Sequence, residues 1–279
     1  MIGAIALAVV AAILIGTGDF VGGVLGRRDP TPAALVSVFG WMMAASLPLA
    51  LLFGGEWTGA EIGWSIGVGM CWIAGFYALM LGIAEGKVVI VVPTAGVVSV
   101  VIPVAIDAIR GTRPSVVAGI GVAIGLVAVA VVGFGHEAEG ARSRRWSASM
   151  GLIGGIATGL GFTFLDQATG AGIWSIVVAS TVAFVFATAF LLATRRRVWV
   201  LRDGLVPSIT LAVLFLGSFA ALVFAFDAGS LTLVSVVASQ YPVVTLILAA
   251  VLWKQKPRGV QYVGAALALV SVALIAIGA

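Results

Sequence analysis

The chain has 279 residues, of which 62% are hydrophobic and 9% charged. Soluble domains carry about 25% charged residues, so this composition, with a mean hydropathy of +1.22, excludes a water-soluble enzyme or binding module and indicates a membrane protein. The net charge of +4 does not indicate nucleic acid, because the basic residues fall in short loops and no basic stripe with interleaved aromatics follows any helix.

One cysteine, Cys71, and one loop histidine, His136, exclude an intrachain disulfide and a His/Cys metal cluster. No metal or cofactor is expected. A span needs about 20 apolar residues, and ten can be drawn: 2–26, 32–53, 61–84, 88–108, 114–134, 150–169, 172–193, 205–226, 230–252 and 258–278. The expected fold is therefore an all-α membrane protein of ten transmembrane helices. The first run has no basic leader and reads as a retained span rather than a cleaved signal.

Span 1 contains Gly16-Thr17-Gly18-Asp19. Asp19 lies about 25 Å along that helix, inside the hydrocarbon, where an acid costs about 2.5–3.5 kcal/mol. Gly16, Gly22 and Gly23 share its face and allow a helix or substrate to approach closely. No Lys or Arg lies deep in any span. Asp19 is thus a candidate for binding a proton or a substrate cation, against the alternatives of a bond to a neighbouring helix or snorkelling toward Arg27.

Six tryptophans (Trp57, Trp64, Trp146, Trp174, Trp199 and Trp253) fall near span ends, as an interfacial belt requires. Trp41 in span 2 and Trp72 in span 3 are mid-span. Trp72 shares a face with Phe76, and Tyr77 follows. Such a cluster suits a cavity wall or cation–π binding, and equally suits ordinary helix packing. Span 4 holds Pro93-Thr94 and Pro103, and span 9 holds Gln240-Tyr241-Pro242. Proline frees a backbone carbonyl, and broken helices persist in membranes where they are buried or line a cavity. Both fourth spans are therefore expected to break, and these residues join the candidate binding set.

A shift of 143 residues lays the second half on the first. Phe76 falls on Phe219, Ala78 on Ala221, Gly86 on Gly229, Pro114 on Pro257, Gly121 on Gly264, Gly135 on Gly278, and Gly16 and Gly18 on Gly159 and Gly161. The expected domains are a first repeat over 1–138, a connecting loop over 139–149 and a second repeat over 150–279. Five spans per repeat invert the second half, an architecture that secondary transporters favour. Thirteen of the fifteen Lys and Arg fall in alternate loops, all but Arg110 and Arg113. Positive-inside bias then puts those loops in the cytoplasm and both termini outside.

Ten spans, five-plus-five halves and a charged turn before the last span of each half resemble the drug/metabolite transporter superfamily, specifically its EamA-type families. The likeness covers nearly the whole chain. The chain departs from it twice. The Gly-Glu pair common in that turn reads Gly111-Thr112 and Lys254-Gln255 here, and the family is usually drawn with cytoplasmic termini.

The resemblance implies a secondary transporter, not an enzyme, in a cell membrane, here expected to be the bacterial cytoplasmic membrane. It would move a small organic metabolite or drug through a central cavity between the repeats. The unpaired Asp19, rather than the resemblance, adds a candidate for proton coupling. The expected substrate-binding residues are Asp19, Trp41, Trp72, Phe76, Tyr77, Pro93, Thr94, Gln240, Tyr241 and Pro242. The expected partners are a small-molecule substrate and membrane lipids, with no nucleic acid, and the protein a monomer or homodimer. A flippase for a lipid-linked substrate is the alternative on the same fold.

An intramembrane aspartyl protease is the alternative of another class, because Gly16-Thr17-Gly18-Asp19 matches the string that presents its catalytic aspartate. It needs a second aspartate at matching depth. Asp166 and Asp227 sit at span ends, the accompanying Pro-Ala-Leu element is absent, and the string lies in the first span rather than late in the chain.

Overall fold

The computed structural model describes residues 2–30, 32–55, 58–111, 115–133, 142–200, 202–253 and 259–278. Trp57, Thr112, Arg113, Pro114, Gly135, His136, Lys254, Gln255, Pro257 and the boundary at 138/139 lie outside the described residues. The protein is all-helical, with no strand among the described residues. In chain order the helices are α1 (Ile2–Arg28), α2 (Ala33–Phe53), α3 (Gly59–Glu85), α4 (Val88–Ile109), α5 (Val116–Gly133) and α6 (Arg144–Gln167). They continue with α7 (Trp174–Ala193), α8 (Arg202–Ala228), α9 (Leu231–Ala238), α10 (Tyr241–Leu252) and α11 (Gly259–Gly278).

Among the described residues, eight segments are long and apolar enough to cross a membrane, with α9 and α10 together making one of them. The expected fifth and tenth spans appear as α5 and α11, 18 and 20 residues long and packed on each other. Large apolar side chains cover the exterior, among them Leu51, Leu52, Val206 and Ile247. A water-facing surface would not carry them in that density, and lipid tails solvate them.

Helix ends follow local chemistry. At the start of α3, Thr58 Oγ1 accepts from the Glu61 amide (3.3 Å) and Glu61 Oε2 accepts from the Thr58 amide (2.9 Å), a capping box. Ser143 caps α6 by accepting from the Trp146 amide at 3.3 Å. That cap starts the helix at Arg144 rather than at 150, so Arg144 and Arg145 form its first turn. Ser230 caps α9 in the same way. Gly54 ends α2 at φ +71°, a left-handed conformation that favours glycine.

The two fourth spans differ. The second breaks as expected: Ser239 and Gln240 form a turn between α9 and α10, and Pro242 supplies no amide at the restart. The first does not break, because α4 runs unbroken through Pro93 and Pro103. Its partner explains this. Gly151, Gly155 and Gly159, four residues apart on α6, bring that backbone against Val91, Ala95 and Ser99 of α4. A methyl group at any of the three would come within 3.1 Å of an α4 carbonyl oxygen. Small-residue stripes drive such close packing in lipid, and the seam holds α4 straight despite the missing amides.

The helices pack across the halves: α1 on α8, α3 on α6, α2 on α7, α4 on α6 and α1 on α10. Ionic contacts gather at the two ends of the bundle. At one, the basic end, Arg197 pairs with the buried Asp29 (2.7 Å), Arg142 with Glu85 (3.0 Å), and Arg28 donates to the Asp203 carbonyl (2.8 Å). Asp107, Arg110, Asp166 and Thr232 meet at the opposite end.

Candidate functional site

A narrow cleft of ≈ 430 Å³, counted with its mouth, lies near mid-depth between α1, α3, α6, α8 and the start of α10. Spacing of four residues sets its aromatic wall: Trp72 and Phe76 on one face of α3, and Phe215 and Phe219 on one face of α8. The two ladders interlock. Ring centroids are 4.3 Å apart for Trp72 and Phe219, 4.2 Å for Phe76 and Phe215, and 5.8 Å for Trp72 and Phe76.

Glycine lets α1 reach this wall. A side chain at Gly18 would come within 2.6 Å of the Phe215 ring, and one at Gly16 would strike the Tyr241 carbonyl of α10. Asp19 is held between those contacts, 5% exposed, and its Oδ2 has no hydrogen-bond partner. The Tyr241 side chain is fully buried, lines the same cleft, and its hydroxyl makes no hydrogen bond. Beside it Ser99 and Ser239 join α4 to the break by a 3.1 Å hydroxyl bond. Cys71 also lines the cleft.

Of the ten residues expected to bind substrate, Asp19, Trp72, Phe76 and Tyr241 come together here. The others lie elsewhere. Trp41 is 38% exposed, on the face of α2 opposite the buried Phe39 and Met42. Tyr77 is about 100°, more than a quarter of a turn, round α3 from Phe76, and its hydroxyl donates to the Pro30 carbonyl at 3.3 Å. Pro93 and Thr94 are both buried, Thr94 in the α4–α6 seam against Gly151. Pro242 seats on Gly96 of α4, and Gln240 closes the turn through its backbone. Around the break, Tyr241 is the residue that reaches the cleft.

The residues missed are Ile15, Thr158, Phe162 and the α8 pair. The 143-residue shift carried the signal. It maps Ile15 to Thr158, Asp19 to Phe162, Trp72 to Phe215 and Phe76 to Phe219, and all eight line the cleft.

Arg27 is not the partner of Asp19. Its guanidinium lies 3.4 Å over the Trp253 ring, and Nε donates to the Ala84 carbonyl at 3.3 Å. Asp166 lies at the other end of the bundle, bonded to Gln167 (2.7 Å) and 3.8 Å from Arg110, and Asp227 is exposed. Neither reaches the cleft, where Asp19 is the one carboxylate on the wall.

The ends of the bundle are closed differently. At the basic end Trp253 packs on Phe20 (centroids 4.7 Å apart), against Gly23 and beside Ile83, which ties α10, α1 and α3 together. At the other end Arg110 lies 3.9 Å from Asp107 and 3.8 Å from Asp166, and the Thr232 hydroxyl donates to Asp107. That cluster joins α4, α6 and α9 but not α8.

Comparison with curated proteins finds no match. One solved crystal structure is similar over 95% of this chain and 96% of its own, with a TM-score of 0.66 at 14% identity, which speaks for the fold alone. The sequence profile of the EamA-like transporter family matches residues 145–277. The second half of the chain is thus similar to the EamA-like transporter family.

Proposed function

We propose that the protein is a secondary transporter, a multi-pass protein of a cell membrane. It carries a small organic molecule through the mid-depth cleft by alternating access, with Asp19 as its proton-coupling residue. In this reading α5 and α11 complete ten spans in two inverted five-helix halves. The observation that carries the reading is the make-up of the cleft: four pairs of residues 143 apart face it together. Transporters built from inverted repeats hold their substrate at such an interface.

Helix packing supports the same reading. Exchange of the halves turns α1–α8 into α6–α3 and α4–α6 into α10–α1, and all four packings occur. One pair breaks the pattern. α1 packs along α3, with Met80 and Ala84 against Gly26, whereas α6 meets α8 at few positions. This asymmetry is what a two-state machine has when caught in one state: shut at the basic end, and loosened between α6 and α8 at the Arg110 end. With the basic end cytoplasmic, that state opens outward.

Cys71 tests the reading, since it lines the cleft and is the sole cysteine. In sealed vesicles, a membrane-impermeant maleimide applied on the Arg110 side should label it, and conditions that favour the opposite state should transfer labelling to the basic side. Labelling from neither side in any condition would contradict the proposal.

A further inference from the structure

The chemistry of the cleft wall selects a class of substrate. Asp19 is its one carboxyl group, and neither Lys, Arg nor His lines it. The nearest basic group along α1, Arg27, is occupied by Trp253 and Ala84. A buried carboxylate oxygen without a donor is unfavourable unless something brings one. The rings of Trp72, Phe76, Phe215 and Phe219 line the same cleft, and aromatic rings attract a cation.

An anion would meet the Asp19 carboxyl and the ring faces with four side-chain donors at most, from Trp72, Thr158, Tyr241 and Cys71. A zwitterion would place its ammonium at Asp19 and leave its carboxylate without a cation. A neutral apolar molecule would leave Asp19 Oδ2 unsatisfied.

The α6 side of the cleft is lined by the small residues Ala157, Thr158 and Gly161. A methyl at Gly161 would already touch Cys71 at 3.7 Å, so a body attached to the charge enters by widening the cleft on that side. We propose that the cleft takes a monovalent organic cation with an aromatic or alkyl body. Its ammonium pairs with Asp19, and its body lies between the rings of α3 and α8 and the small residues of α6. As a statement about substrate class, this rests on the transport reading above.

The test uses the full-length protein in lipid nanodiscs and four probes of matched body: phenethylamine, benzyltrimethylammonium, phenylalanine and phenylacetate. By titration calorimetry the two cations should bind at least about 10-fold more tightly than the zwitterion and the acid. Benzyltrimethylammonium carries a permanent charge and no N–H, so its binding reports charge and ring contact alone. Asp19→Asn should lower cation affinity at least about 10-fold, and Asp19→Glu should largely retain it. Gly161→Leu fills the cleft and should weaken the cations while leaving Asp19 in place. If Asp19→Asn does not fold, the Asp19→Glu and Gly161→Leu comparison carries the test.

Equal or tighter binding of phenylacetate or phenylalanine, unchanged cation affinity in Asp19→Asn, or no binding of any probe would overturn the inference. Uptake into proteoliposomes separates the two proposals. Cation binding without uptake keeps the substrate class and contradicts transport. Uptake of phenylalanine without uptake of either cation keeps transport and overturns the class.

Discussion

Equivalent positions tie helices together at the two ends of the bundle with opposite chemistry. Trp253 seals the basic end against Gly23, and a shift of 143 residues maps this pair onto Arg110 and Asp166. One closure is aromatic, packed on Phe20 and capped by the Arg27 guanidinium. The other is ionic, with N–O separations of 3.8 and 3.9 Å and an Arg110 side chain 41% exposed. A dry aromatic contact is insensitive to salt. Partly exposed ion pairs are weak and screened. In the alternating-access machine proposed above, the difference means that the two states need not be equally stable: a tight seal at the basic end and a loose latch at the other would bias the resting state toward opening at the Arg110 end.

The largest expected effect comes from removing the seal. Trp253→Ala deletes ring packing on Phe20 and Ile83 together with the platform for Arg27. It should cost about 2–3 kcal/mol of stability, read as a lower Tm, and expose Cys71 to labelling from the basic side. A variant whose Tm and labelling match the wild type would remove Trp253 from the closure. Smaller effects are expected at the latch. Arg110→Ala should change stability by no more than about 1 kcal/mol. Raising the salt concentration should mimic it in the wild type and do nothing further in the variant. If Arg110→Ala proves the more damaging of the two, the ranking of seal over latch is wrong.

Much of this arrangement was legible in the sequence, at the level where physics is local or strongly periodic. Composition identified the membrane class, and apolar runs located the helices to within a few residues. Asp19 stood out because an intramembrane acid is costly, and Trp72 with Phe76 because i, i+4 aromatics share a face. The failures came where a second helix decides the outcome. Pro93 and Pro103 lack amides as surely as Pro242 does, yet the glycine seam of α6 keeps α4 straight. Trp41 is as central in its span as Trp72, but the face that α2 buries is set by Phe39 and Met42, which points Trp41 at lipid. Tyr77 neighbours a cleft residue but lies round the helix from it, where its hydroxyl meets Pro30. In the sequence Arg110 stands out only as an exception to the loop-charge count, because nothing in its own loop announces Asp166 fifty-odd residues away.

The most direct test of alternating access is a pair of distances read together. In a Cys71→Ser background, spin labels at Arg28 and Glu85 would report the α1–α3 separation at the basic end. Labels at Gln167 and Ala228 would report the α6–α8 separation at the Arg110 end. Double electron–electron resonance in nanodiscs, before and after adding whichever of the four probes binds, should show the α6–α8 distance shorten as the α1–α3 distance lengthens. Two distances that stay fixed, or that move in the same sense, would contradict the account.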